Sequence, residues 1–177
     1  MSRKKSAEKI RIIAAHAGTG KSYLANAHPD KFIDLALMPY KYILPKNNEC
    51  LEYESKKADL DLEINYDYPY NYIKAIKNAI SETDLAIIIP SAWIVLYMLD
   101  KEEIPYMLCY PENTEESREE YKRRYESRGN SDVFLEIFIG GWSMFMKWLE
   151  EKECSRRIIM KPHEFLSDVV EKYFLSC

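Results

Sequence analysis

The chain has 177 residues, a length that suits one domain, 1–177, with a sizeable core. Hydrophobic residues make up 47% and charged residues 31%, with a net charge of −4, so a globular fold is expected and the overall basic signature of a nucleic-acid binder is missing. No apolar run reaches the roughly 18 residues of a membrane span, and no signal-peptide core follows the basic stretch 1–9, which reads as a solvated tail.

The first predicted strand covers 10–15 and is apolar apart from Arg11, as suits a strand buried on both faces. It runs into Ala15-His16-Ala17-Gly18-Thr19-Gly20-Lys21-Ser22, and helix-compatible residues from Tyr23 follow. Strand, glycine-rich turn and helix in that order read as a phosphate-binding P-loop. Gly18 and Gly20 allow a tight turn whose N–H groups face phosphate oxygens. Lys21 has the reach for the β- and γ-phosphates, and the Ser22 hydroxyl is placed for Mg²⁺. The nucleotide-binding set is therefore Ala15, His16, Ala17, Gly18, Thr19, Gly20, Lys21, Ser22 and Tyr23. Ala15 stands where the standard motif has its first glycine, which is tolerable only with a strand-like backbone.

The helix stops near His28-Pro29, because proline biases the residue before it away from helix. A second strand is predicted over 31–35, with Asp34 near its carboxyl end. Residues 39–69 are broken by prolines and charges and read as a functional loop with one short helix over 51–57. A helix over 70–81 follows, with Ile73, Ile76 and Ile80 at helical spacing. The strand over 84–90 is the clearest in the chain, and Ser91 is a candidate cap for a helix over 92–100. A strand over 104–110 leads to a charged helix over 114–127. A long helix is predicted over 131–151, with Gly140-Gly141 marking close packing or a bend, then a strand over 157–160 and a helix over 163–174. Strands alternate with helices throughout, which points to an α/β fold with a parallel sheet covered on both sides.

Ligands of such sheets sit at the carboxyl ends of the strands. Asp34 meets that condition and suits orienting or deprotonating an acceptor hydroxyl, or supporting Mg²⁺ through water. Glu112 is a weaker candidate of the same kind. Asp84 opens its strand, so it belongs at the opposite edge. No acid ends the 87–89 run, so the second acidic motif of motor-type and helicase-type ATPases is missing. Arg118, Lys122, Arg123, Arg124 and Arg128 crowd one helical segment. Such cations suit a transferring phosphoryl group, and a hinged helix can deliver them; interleaved glutamates also suit a solvated helix laced with ion pairs. Tyr40, Tyr42, Tyr66, Tyr68, Tyr70 and Tyr72 offer aromatic planes for a base, or simply pack the loop. Lys161-Pro162 is a candidate edge of an adenine pocket. Cys50, Cys109, Cys154 and Cys177 form no C-x-x-C pair and have no histidine at ligand spacing, so they read as reduced thiols of a cytoplasmic protein without a zinc site.

The segments 12–22, 32–35, 71–76 and 121–125 together resemble the nucleoside and nucleoside-monophosphate kinase group of P-loop phosphotransferases. Within it they look most like small phage-type, adenylate kinase-like nucleotide kinases. The resemblance implies a three-layer αβα sandwich with a five-stranded parallel sheet of order 2-3-1-4-5. It also implies an acceptor-binding insertion, here 39–69, and an arginine-rich helical lid, here 114–128. The chain departs from the group at Ala15, in lacking an acid after the third strand, and in having no arginine between Arg11 and Arg118 to hold a monophosphate. Lys41, Lys46, Lys56 and Lys57 are substitutes as point charges, or the acceptor is an uncharged nucleoside.

The expected activity is ATP- and Mg²⁺-dependent phosphorylation of a nucleoside or nucleoside monophosphate. Lys21, Asp34, Arg118, Arg123, Arg124 and Arg128 form the expected catalytic set, and Ser22 the metal ligand. The alternatives are a kinase of a gluconate- or shikimate-like metabolite, and a nucleotide-binding module that transfers nothing.

Overall fold

The computed structural model describes residues 10–43 and 62–174, the last four as backbone only. Strands β1 (Ile12–Ala15), β2 (Phe32–Asp34), β3 (Ala86–Pro90), β4 (Tyr106–Pro111) and β5 (Arg156–Met160) form one sheet, parallel throughout, in the order β2-β3-β1-β4-β5. This is the order that the resemblance implies. The helices are α1 (Lys21–Ala27), α2 (Met38–Lys41), α3 (Tyr70–Glu82), α4 (Trp93–Lys101), α5 (Glu115–Ser127), α6 (Asp132–Leu135), α7 (Trp142–Glu151) and α8 (Leu166–Phe174).

Alternation along each strand divides the core in two. Ile12, Ile87 and Leu108 face a layer made by Ile76 of α3, Leu96 of α4, Tyr121 of α5 and Met146 of α7. Ile13, Ile88 and Cys109 face Leu24 of α1 and Leu166 and Val170 of α8. The sheet is thus covered by helices on both sides. At its edge, β5 exposes Arg156, Arg157 and Ile159, and charge on an edge strand discourages pairing with another chain.

Several predicted boundaries move for local reasons. Ser91 does not cap α4: the N-cap is Ala92, without a side-chain bond, and the buried Ser91 instead donates its N–H to Ala15 O at 3.1 Å. Thr114 does cap α5, accepting from Ser117 N. The predicted long helix is interrupted between α6 and α7 by a π-helical turn, Glu136–Gly140. There Gly141 N–H reaches back five residues to Glu136 O at 3.2 Å. A Cβ on Gly141 would lie 2.7 Å from Ile137 O, so the turn needs glycine at this position. The last helix starts at Leu166 rather than 163, because His163 takes a left-handed φ of 66° and the 161–165 stretch forms a loop. The helix expected over 51–57 lies outside the described residues, as does most of 39–69. The described flanks of that stretch meet through an antiparallel bridge between Tyr42 and Ile64. Among the described residues, no helix is long and apolar enough to cross a membrane.

Candidate functional site

The site is built where β1 ends. Ala15 is the last residue of β1, fully buried and paired with Pro90 on one side and Cys109 on the other. An extended backbone accepts alanine there, so the missing first glycine leaves no strain. Left-handed backbone falls on Gly18 (φ 78°) and Gly20 (φ 88°) instead. A side chain at Gly18 would also collide with Tyr125, its Cβ lying 2.8 Å from the ring. Both glycines are therefore required by the path of the loop. Thr19 Oγ1 donates to His16 O at 2.8 Å, and Lys21 Nζ donates to the same carbonyl at 3.0 Å.

Asp34 closes β2, and its side chain reaches the start of α1. Ser22 Oγ donates to Asp34 Oδ2 at 2.5 Å. A hydroxyl and a carboxylate thus converge beside the Lys21 ammonium, at the carboxyl edge of the sheet. A cavity of about 550 Å³ opens over them. Its polar lining includes Lys21, Ser22, Asp34, Arg124 and Arg128, and Tyr23, Leu37, Met38, Pro90, Phe134 and Phe165 supply apolar wall. A larger and more open depression of about 720 Å³ lies at the opposite edge, lined by Asp100, Tyr106, Trp148 and Lys152 among others, and it holds none of the candidate residues.

The arginines of α5 and Arg128, the residue that caps its carboxyl end, separate into different environments. Arg118 binds Glu115 at 2.8 Å and Ile139 O at 3.3 Å, and Arg123 pairs with Glu120 at 3.1 Å; neither lines the cavity. Arg124 is buried, with its guanidinium packed over Phe165 at 4.1 Å and Tyr121 at 4.6 Å. It donates to Gly18 O and to Glu164 O, and pairs with Glu120. Arg128 is exposed at the cavity wall. The helix carrying them is packed into the body, with Tyr121 and Tyr125 fully buried against the sheet-side core.

His16 is fully buried beneath the loop, among Tyr121, Phe138, Trp142 and Phe145. Burial, with a smaller push from the nearby Lys21 charge, lowers its pKa to about 3, so the ring is neutral at physiological pH. Tyr125 Oη lies 3.2 Å from His16 Nε2 and 3.0 Å from Ala17 O.

The remaining candidates lie elsewhere. Asp84 is exposed ahead of β3, away from the loop, and Glu112 does not line the cavity. None of the six tyrosines between Tyr40 and Tyr72 lines it either: Tyr72 is buried and donates to Leu35 O at 2.5 Å, and Tyr66 and Tyr70 are exposed. Lys161 and Pro162 stand back from the cavity, and Phe165, three residues on, packs on Gly20. Lys46, Lys56 and Lys57 lie outside the described residues. Cys109 and Cys154 are free thiols.

No protein-family model, no curated protein and no solved structure matches this chain.

Sequence reasoning missed Tyr125 and Phe165. Tyr121 and Tyr125 stand four apart in an otherwise charged helix, which is the signature of one buried stripe and was there to be read. Phe165 gives no such signal, since nothing in 161–165 fixes where that loop docks.

Proposed function

We propose that the chain is a P-loop phosphotransferase of the cytoplasm that moves the γ-phosphoryl group of ATP, with Mg²⁺, to a nucleoside or nucleoside monophosphate. One observation carries the reading. A loop with two left-handed glycines, a lysine, and a serine hydroxyl bonded to a strand-ending carboxylate all meet at one mouth of the sheet. This is the edge where open parallel sheets take their ligands.

The residues fit the cofactors. Ser22 presents its hydroxyl oxygen to a magnesium ion, and Asp34, bonded to that hydroxyl, would support the ion through a water. Among the described residues, no group of three or more His, Cys, Asp or Glu could hold an ion, so such an ion would draw its other ligands from phosphate and water, the usual manner of Mg²⁺. When bound, ATP and Mg²⁺ supply the transferable phosphoryl group and neutralise its oxygens. Lys21, now bonded to the Ala15 and His16 carbonyls, would turn its ammonium to the phosphate oxygens. Asp34 would orient the acceptor hydroxyl and take its proton while that oxygen bonds to phosphorus and ADP leaves. Arg128, at the cavity wall, would offer its guanidinium to the oxygens of the transferring phosphoryl group. The apolar wall from Leu37, Met38 and Pro90 suits the flat or apolar parts of the acceptor.

The test is transfer from labelled ATP with Mg²⁺ across nucleosides, nucleoside monophosphates, gluconate and shikimate. Transfer to a nucleoside or its monophosphate is expected. Asp34→Asn should lower kcat by about 100-fold or more, and Lys21→Ala should abolish both tight ATP binding and transfer. Transfer to gluconate or shikimate alone would reassign the acceptor. ATP binding with no transfer to anything would make the chain a binding module.

A further inference from the structure

A phosphate cradle works by aiming successive amide N–H groups at one anion. In a trans peptide, the C=O of one residue and the N–H of the next share a plane and point in opposite directions. A group that fixes a carbonyl therefore fixes the following amide. In this chain the Ala17 carbonyl accepts from Tyr125 Oη at 3.0 Å, and the Gly18 carbonyl accepts from Arg124 Nη1 at 3.3 Å. Both donors sit on α5, separated from their acceptors by 108 and 106 residues. They are held in turn by burial: Tyr125 is fully enclosed, and Arg124 is gripped by Glu120, Glu164 O and the faces of Tyr121 and Phe165.

The direction of the Tyr125 proton follows from a count of donors. A phenol has one proton, and burial keeps it on. The Ala17 carbonyl can only accept, so the Tyr125 proton goes there. The oxygen of Tyr125 is left to accept from His16 Nε2, which fixes the Nε2–H tautomer. His16 Nδ1 is then an acceptor without a hydrogen-bond partner among the described residues; the hydroxyl of Tyr121 and the indole N–H of Trp142, whose rings pack around His16, also lack one there.

We propose that Tyr125 and Arg124 are positioning residues that preset the Gly18 and Thr19 amides for phosphate, and that His16 keeps the Tyr125 hydroxyl aimed at the loop. The arginine-bearing helix is then a fixed backing for the loop, and the phosphate site is assembled before the nucleotide arrives. This rests on the P-loop reading, because only a phosphate-binding loop needs its amides so aimed.

The experiment measures binding of ATP·Mg²⁺ and of inorganic tripolyphosphate to the full chain and to Tyr125→Phe, His16→Leu, His16→Gln and Lys21→Ala. Tyr125→Phe keeps the ring that packs the core and removes only the hydroxyl. It should bind both ligands about tenfold more weakly, the effect of one hydrogen bond, and should shift the Gly18 and Thr19 amide resonances. His16→Leu should show a similar loss, and His16→Gln, which keeps an N–H donor at similar reach, should recover most of it. Nitrogen NMR of the parent should show His16 with a protonated Nε2 and a bare Nδ1 at pH 7. Binding that Lys21→Ala abolishes but Tyr125→Phe leaves intact overturns this proposal alone. So does the opposite tautomer. A parent chain that binds neither ligand overturns the P-loop reading and this proposal with it.

Discussion

A neutral histidine sealed under a loop ties stability to pH. The His16 ring has a pKa of about 3 when folded, against an ordinary 6.5, with burial the main cause and the Lys21 charge the second. Below pH 6.5 the unfolded chain takes up a proton here and the folded chain does not. Stability from this group is therefore complete above 6.5 and falls as pH drops toward 3, by on the order of a few kcal/mol. His16→Gln removes the titration. Urea unfolding from pH 7 down to pH 4 should thus show the parent losing stability faster than His16→Gln, and a gap that stays constant with pH would mean that His16 is not held neutral. Side chains differ in how openly they declare themselves. Asp34 could be placed at the carboxyl edge from its position in a short apolar run, because strand direction alone decides the edge. The surroundings of Arg124 could not, because its acceptors on Gly18 and Glu164 lie 106 and 40 residues away and only the folded chain brings them together.

At the level of elements, the π turn between α6 and α7 makes a sharp contrast between adjacent glycines. A Cβ on Gly141 meets the Ile137 carbonyl at 2.7 Å, and backbone cannot yield as a flexible side chain does. Beyond the backbone of its own helical turn, a Cβ on Gly140 meets Glu136 Cγ, at an ordinary 3.7 Å. Gly141→Ala should therefore destabilise the chain by roughly 1–3 kcal/mol. Gly140→Ala should be neutral or stabilising by up to about 1 kcal/mol, through the helix propensity of alanine. Urea midpoints of the two variants check the pair, and equal effects would remove the distinction. The turn also shows why helix boundaries were hard to read. Phe134, Phe138, Phe145 and Leu149 keep an approximate helical period straight across it, so the pattern gives no break; only the paired glycines mark the place, and they are equally compatible with close packing. The strands were easier. Ile12-Ile13 and Ile87-Ile88-Ile89 are β-branched runs bounded by turn residues, and burial on both faces leaves them no other reading.

Across the whole molecule, the loop at the end of β1 is the meeting point of segments distant in sequence. Arg124 joins Gly18 to Glu164, Tyr125 joins α5 to Ala17, and Leu166 N–H donates to Thr19 O at 2.8 Å. The loop, α5 and the start of α8 are therefore coupled, whereas the depression around Asp100, Tyr106 and Lys152 lies at the other edge of the sheet. A ligand that binds only the folded state stabilises it by about 2.7 kcal/mol at a hundred times its Kd. That gain should appear where opening the structure would disturb the bound ligand. Hydrogen exchange with saturating ATP·Mg²⁺ should thus slow in 16–24, along α5 and across 161–168, and change little in 100–106 and 152–156. Local unfolding of α5 alone would expose the Ala17 and Gly18 carbonyls and release the loop, so its amides should gain protection even though most of the helix lies away from the nucleotide. Protection confined to 16–24 would mean that α5 opens independently of the loop, as a hinged lid does, and the fixed backing would have to be given up.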